Sequence, residues 1–283
     1  MNIEYVDPQN FEYVDPQNFE YVDPQLKQLL RDDKDGARRS YQASPTAAHV
    51  PYQPTEPILL RDWLAVRVAF RLQAPWFSKD DLPFHVLDNP VHRDHVFGAP
   101  FMSASSWKGL LRWAVRMKTG LLAHLERNDN ELHNWQDSAD VLHLFGNERD
   151  EAKDFQRGAL AFRPTWFDKV GFEVINPHDR SKKAGTKPIL YEVVPPGVTG
   201  TLSLLYAPLP GVVPMGVNRQ RAVLLLLDAI EALVTEYGVS AKRTAGWGVA
   251  TVTKASLRWQ DGSCEGTLVA VREAAARTLG GVE

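Results

Sequence analysis

Leu64-Ala-Val-Arg-Val-Ala-Phe-Arg-Leu72 is a strand written in alternation. Leu64, Val66, Val68, Phe70 and Leu72 fall on one side, and Ala65, Arg67, Ala69 and Arg71 on the other. That period of two is the pattern of a half-buried strand. Downstream, Trp107, Leu110, Leu111, Ala114, Val115, Leu121, Leu122 and Leu125 recur at helical spacing and predict an amphipathic helix. Ser105 or Ser106 can cap it, and Gly120 can interrupt or end it. The intervening loop, 73–104, is rich in Pro, Asp and His, and loops of that length are functional or disordered.

Working outward, short strands are expected at Ala159 to Phe162, Phe172 to Ile175, Leu190 to Val194 and Thr201 to Tyr206. A second helix runs from about Asn218 to Tyr237, with Gly238 as its stop. Strands at about Val249 to Thr253 and Ala255 to Trp259 follow, then a short helix near Val271 to Thr278. The region 128–155 is polar and reads as an irregular insertion. The order strand, helix, strands, helix, strand is that of an α+β, ferredoxin-like (RRM-like) core with enlarged loops. Fold alone does not decide function.

The N-terminus carries a tandem repeat. Glu4-Tyr-Val-Asp-Pro-Gln-Asn-Phe11 recurs at Glu12 to Phe19 and begins again at Glu20. A proline in each unit argues against a helix or a central strand. Residues 1–57 are therefore read as an extended or disordered arm, and 58–283 as one folded domain. The repeat could dock on a neighbour through Tyr and Phe, or be an expansion without a role.

The chain of 283 residues has a net charge of −3, with 44% hydrophobic and 24% charged residues. This is an ordinary globular composition and excludes a protein coated in nucleic acid. Any contact with a nucleic acid has to come from local basic patches. A single cysteine, Cys264, excludes a disulfide framework and a multi-cysteine zinc site. No signal peptide or membrane span is evident, so a cytoplasmic protein is expected.

Two constellations carry chemistry. In the first, Ser103, Ser105 and Ser106 stand at a helix start, where free amides and the dipole suit an anion. Lys108, Arg112 and Arg116 follow at four-residue spacing and predict one basic stripe able to track phosphates. A well-capped surface helix would read the same way. In the second, Lys242-Arg-Thr-Ala-Gly-Trp-Gly248 combines Lys242, Arg243, Gly246, Trp247 and Gly248 in a basic loop with a stacking ring. It also reads as a tight turn whose glycines permit positive φ. A third stretch places His178, Arg180, Lys182 and Lys183 in a basic loop that could reach over an RNA strand. Such a run also fits a solvated surface.

The order of the first two, with Pro100-Phe-Met-Ser-Ala-Ser-Ser-Trp-Lys-Gly-Leu-Leu-Arg112 before the glycine loop, resembles the RAMP superfamily of CRISPR-associated proteins. Leu87-Asp-Asn-Pro-Val-His-Arg-Asp94 is similar to the aspartate loop of backbone subunits in type III effectors, the Csm and Cmr complexes. Asn176-Pro-His178 is closer to the Cmr end-capping subunit. Ala104 stands where the family usually has glycine. The resemblance implies a RAMP-type RNA-binding domain that holds a guide (CRISPR) RNA beside other Cas subunits, with complementary target RNA paired to the guide.

It also places Asp88 at the cleavage site for target RNA. A carboxylate there could bind Mg2+ or help deprotonate a ribose 2′-hydroxyl. Asp80, Asp81 and Asp94 share the loop and could add oxygens, although Asp80 and Asp81 read as solvated. His85, His92 and His95 lie in the same loop, where ordinary surface histidines are expected. Three readings remain open: a backbone subunit that binds guide and cuts target, a non-catalytic capping subunit, and a metal-independent guide-processing ribonuclease using a histidine such as His92.

Overall fold

The computed structural model describes residues 36, 39, 56–80, 87–94, 97–128, 131–147, 157–179, 184–185, 188–209 and 216–280. The expected arm, with its repeats, lies almost wholly outside these residues. The first strand, β1 (Leu64–Leu72), has the alternation its sequence dictates, with all five apolar side chains buried. Burying each such side chain contributes about 1.5–3 kcal/mol. After it come β2 (Phe101–Met102), α1 (Ala104–Lys118), α2 (Leu121–Arg127) and α3 (Ala139–Phe145). Next are β3 (Leu160–Arg163), β4 (Thr165–Trp166), β5 (Gly171–Ile175), β6 (His178–Asp179), β7 (Ala184–Gly185), β8 (Ile189–Val193) and β9 (Thr199–Tyr206). The chain closes with α4 (Arg219–Ala232), β10 (Ala250–Trp259), β11 (Gly262–Gly266) and α5 (Leu268–Gly280).

The main sheet is antiparallel, in the order β11-β10-β1-β9-β3. Setting aside the appended β11, the order is fourth, first, third, second, with α1 following β1 and α4 preceding β10. This is a ferredoxin-like α+β fold. Trp107, Leu111, Ala114 and Val115 of α1 and Val223, Leu226, Leu227 and Ile230 of α4 cover one face of the sheet. A second projection pairs β5 with β8 and, further out, β6 with β7.

Several local expectations change. Ser103, not Ser105 or Ser106, caps α1, because its Oγ accepts from the Ser106 N–H at 3.1 Å. Gly120, at φ +105°, ends α1 and starts α2 in a new direction, which leaves Leu122 half exposed. The region after residue 128 is not wholly irregular. Ser138 caps α3, whose Val141, Leu144 and Phe145 join the main core. The two strands expected around 249–259 are one strand, β10. Its pairing with β1 shifts between Ala69 and Phe70, which leaves Thr253 as the extra residue of a bulge. The bulge reverses the burial parity, so the alternation breaks inside a continuous strand. β11, with Gly262 and Gly266 at its ends, was not foreseen.

The described part of the 73–104 loop is held by isolated bridges, Trp76 to Val194, Lys79 to Val91 and Arg93 to Pro100. No described helix is long and apolar enough to cross a membrane.

Candidate nucleic-acid interface

The start of α1 is built by Trp107. Its buried ring meets Phe70 edge-on, and its Nε1 donates to Thr165 Oγ1 at 2.9 Å. Thr165 in turn donates to the Thr201 carbonyl at 2.6 Å, which fixes the helix start against β4 and β9. Ser103 Oγ lies 2.9 Å from both Ser105 Oγ and Ser106 Oγ, and Ser105 and Ser106 are exposed. Exposed hydroxyls at a helix N-terminus with no acidic residue in its first turn suit a phosphate.

The expected basic stripe is not a solvent-facing stripe. Lys108 is exposed, but Arg112 is buried and both Arg112 and Arg116 turn to Asp137. Arg112 Nη2 and Arg116 Nη2 each donate to Asp137 Oδ2 at 2.7 Å, and Arg116 Nε donates to Oδ1 at 2.6 Å. Burial alone would raise the Asp137 pKa, but hydrogen bonds from Arg116, Arg112 and Trp135 outweigh it and hold the carboxyl below its ordinary range. Sequence spacing placed the arginines on one helix face. It could not show that a carboxylate 21 and 25 residues downstream folds back onto them.

Asp88 is exposed at the tip of a tightly held segment. Asn89 Nδ2 donates to the Leu190 carbonyl at 3.2 Å, and the Asn89 carbonyl accepts from Glu192 N–H at 3.0 Å. Glu192 is fully buried, and its Oε2 accepts from Val91 N–H at 3.0 Å. Its Oε1 accepts from Arg93 Nη2 at 2.6 Å, while Arg93 Nη1 donates to the Gly98 carbonyl at 2.7 Å. The loop is thus clamped to β8. Phe101 N–H donates to the His92 carbonyl at 3.1 Å, which joins the same loop to the approach to α1.

Asp80, expected to be solvated, is instead buried, with Oδ2 at 3.4 Å from the Arg93 N–H. His92 stacks on Phe101 with ring centroids 4.6 Å apart, so it is part of a packed surface. His85, His95 and Asp81 lie outside the described residues, as do Arg180, Lys182 and Lys183. The backbone of His178 lies in β6 of the projecting hairpin.

The glycine loop is a compact turn with a cation on each side. Gly248 N–H donates to the Pro75 carbonyl at 2.8 Å, and Ser240 Oγ bridges both backbone groups of Phe77 at 3.0 Å. Trp247 is half-buried and edge-on to Phe77 and Tyr191, so its ring is the wall of an aromatic cluster and not a freestanding platform. Lys242 Nζ sits 4.5 Å from the Tyr191 ring centroid. Arg243 lies 4.1 Å above the Trp113 ring of α1, which joins the two constellations in space. Burial pulls the Arg243 guanidinium below its ordinary pKa, and its Nη1 is buried without a hydrogen-bond partner among the described residues. A guanidinium keeps its charge at neutral pH, so the glycine loop places a fixed cation against α1.

Tyr191, Trp113, Phe77 and Glu192 were missed as site residues. Glu192 did carry a signal, since a carboxylate between Tyr191 and Val193 in an apolar strand requires a buried partner. Among the described residues no three of His, Cys, Asp and Glu converge on a metal position. Asp80 is engaged by Arg93, and Asp94 Oδ1 accepts from Phe97 N–H at 2.9 Å.

The profile of the RAMP superfamily matches residues 69–251, well over half of the chain. The chain belongs to the RAMP superfamily. No curated protein matches this RAMP chain. Among solved structures it is similar to a chain of a type III-B Cmr-beta complex bound to cognate target RNA, with 15% identity and TM-score 0.48, covering 82% of this chain and 67% of that one. It is also similar to a chain of a Csm3-Csm4 subcomplex from a type III-A CRISPR-Cas interference complex, with 15% identity and TM-score 0.44, covering 78% and 96%. A chain of a CRISPR RNA-guided surveillance complex is similar at 16% identity and TM-score 0.43, covering 69% and 68%.

Proposed function

We propose that this RAMP protein is a guide-RNA-binding subunit of a type III CRISPR ribonucleoprotein and that Asp88 cuts target RNA paired to the guide. The observation that carries the binding reading is Arg243. It stacks on Trp113 of α1, belongs to the glycine loop, and holds a buried Nη1 without a partner among the described residues. An RNA phosphate at this guanidinium would meet its charge, with Lys242, Lys108 and the exposed serines at the α1 start contacting adjoining backbone. Contacts of this kind hold RNA by charge and shape and leave sequence to base pairing.

The cutting reading is supported by the clamp on its loop. Asn89, Val91 and Arg93 are all held by β8, so the Asp88 carboxylate is presented from a rigid support. There it can accept the proton of a ribose 2′-hydroxyl placed for in-line attack on the neighbouring phosphate. Mg2+ held by Asp88 and the phosphate would supply charge neutralisation at the scissile group.

The test is the assembled complex with complementary RNA, with and without magnesium, comparing the natural chain with Asp88→Ala. Loss of cutting with guide retained supports the full reading. Unchanged cutting removes Asp88 as the catalyst and leaves a capping or structural role. Processing of a guide precursor by the lone protein in chelator points to the guide-processing ribonuclease instead.

A further inference from the structure

The face of the main sheet opposite the helices has a charge pattern that RNA binding at the helix start does not use. The cross-strand register places Arg163, Ser203, Arg67 and Ser256 in one row across β3, β9, β1 and β10. Arg258 pairs with Ala65 and Arg71 with Thr199, so both lie on the same face. Across the five strands the carboxylate is Glu265, which is 2.6 Å from Lys254.

The chain already enters this face. Glu56 pairs with Arg67 at 2.6 Å and with Arg258, and Arg258 Nη2 donates to the Pro57 carbonyl at 3.2 Å. Between Pro57 and the sheet lies a cavity of about 230 Å3, with Ala65, Ala161 and Leu205 in its lining and Arg67 and Arg163 beside them. This hollow is open to solvent on one side, and its apolar floor offers an aromatic ring a surface to pack against.

We infer that this face is the docking site of the chain's own N-terminal repeats, with a repeat tyrosine in the cavity and its flanking carboxylates on the arginines. Each unit reads Glu-Tyr-Val-Asp, at Glu4 to Asp7, Glu12 to Asp15 and Glu20 to Asp23, and residues 1–25 contain no Lys or Arg. The ring matches an apolar floor, and the carboxylates match a face rich in arginine. Even wholly helical, residues 26–55 would span roughly 45 Å, so the repeats reach the site without difficulty. Tethering supplies an effective concentration on the order of millimolar, so a weak individual contact is enough. The inference stands apart from the RNA reading, because it uses the opposite face of the sheet.

The experiment uses the full chain carrying Tyr13→p-benzoylphenylalanine, photolysed as a mixture of isotopically heavy and light protein. The expected crosslinks join residue 13 to peptides spanning 65–71, 161–163 or 203–205 within one chain. Their yield falls roughly fivefold in Arg67→Glu/Arg163→Glu, the scale of losing rim ion pairs. It recovers when Glu12→Lys and Asp15→Lys are added, a rescue that a misfolded variant would not give. Crosslinks on the helical face, a yield indifferent to these charges, or crosslinks found between heavy and light chains alone would overturn the inference. So would RNA, added to the full chain, crosslinking to this face in place of the repeats.

Discussion

Arg93 and Glu192 meet at 2.6 Å with almost no solvent exposure, and through them the loop bearing Asp88 is fastened to the base of the β5–β8 hairpin. Breaking a buried ion pair from one side leaves an uncompensated charge, which costs about 3–5 kcal/mol. Glu192→Ala is therefore expected to lower stability by that amount in urea unfolding. The double variant Arg93→Met/Glu192→Leu should recover much of it. A double variant as unstable as the sum of its single changes would mean that the two side chains act separately.

The two glycines of the Lys242 to Gly248 turn have different costs. Both have positive φ, +79° and +80°. A Cβ at Gly246 meets nothing within 4 Å, whereas one at Gly248 would press on Ser240, with Ser240 Cβ at 2.7 Å. Gly246→Ala should cost about 1–2 kcal/mol, the left-handed backbone penalty alone. Gly248→Ala should cost clearly more, because Ser240 also anchors Phe77. Thermal unfolding of the two variants side by side checks the ranking.

Acid should weaken the packing of α1. The Asp137 carboxyl is held below its ordinary value of 3.8, so its contribution is present above that pH and is lost as pH falls through the lower folded value. Asp137→Asn should be less stable at neutral pH by roughly 1.5–3 kcal/mol, the scale of hydrogen bonds to a charged group. That gap should close toward pH 2. His143, whose Nε2 lies 2.8 Å from Tyr206 Oη, behaves in the same direction at higher pH. Burial, with Arg219 nearby, lowers its pKa from 6.5, so its contribution is lost as pH falls below that value. His143→Gln should flatten the stability profile there.

What the sequence revealed and what it hid follow from range. The β1 alternation, the α1 stripe, the Gly238 stop and the glycine turn are local patterns, and each is present. Hidden features depend on partners far along the chain. Arg93 and Glu192 are 99 residues apart, and Asp137 lies beyond a helix break from the arginines it holds. The short helix α3 was hidden because an apolar run this brief has no period of its own. Its placement comes from the tertiary core that Val141, Leu144 and Phe145 join.

Lys108 and Arg112 should separate in RNA binding. Lys108 is exposed, so Lys108→Ala should reduce the salt slope of single-strand binding by about 0.7 with little change in melting temperature. Arg112 is committed to Asp137, so Arg112→Ala should mainly lower stability. Fluorescence anisotropy across a salt series, paired with thermal unfolding, measures both effects.

The most direct test of the central claim is ultraviolet crosslinking of the assembled ribonucleoprotein, with the bound residues mapped by mass spectrometry. RNA should crosslink within 103–108 and 242–248, and Arg243→Ala should sharply reduce the second set. Recovery of the chain without RNA, or crosslinks that avoid both segments, would contradict it.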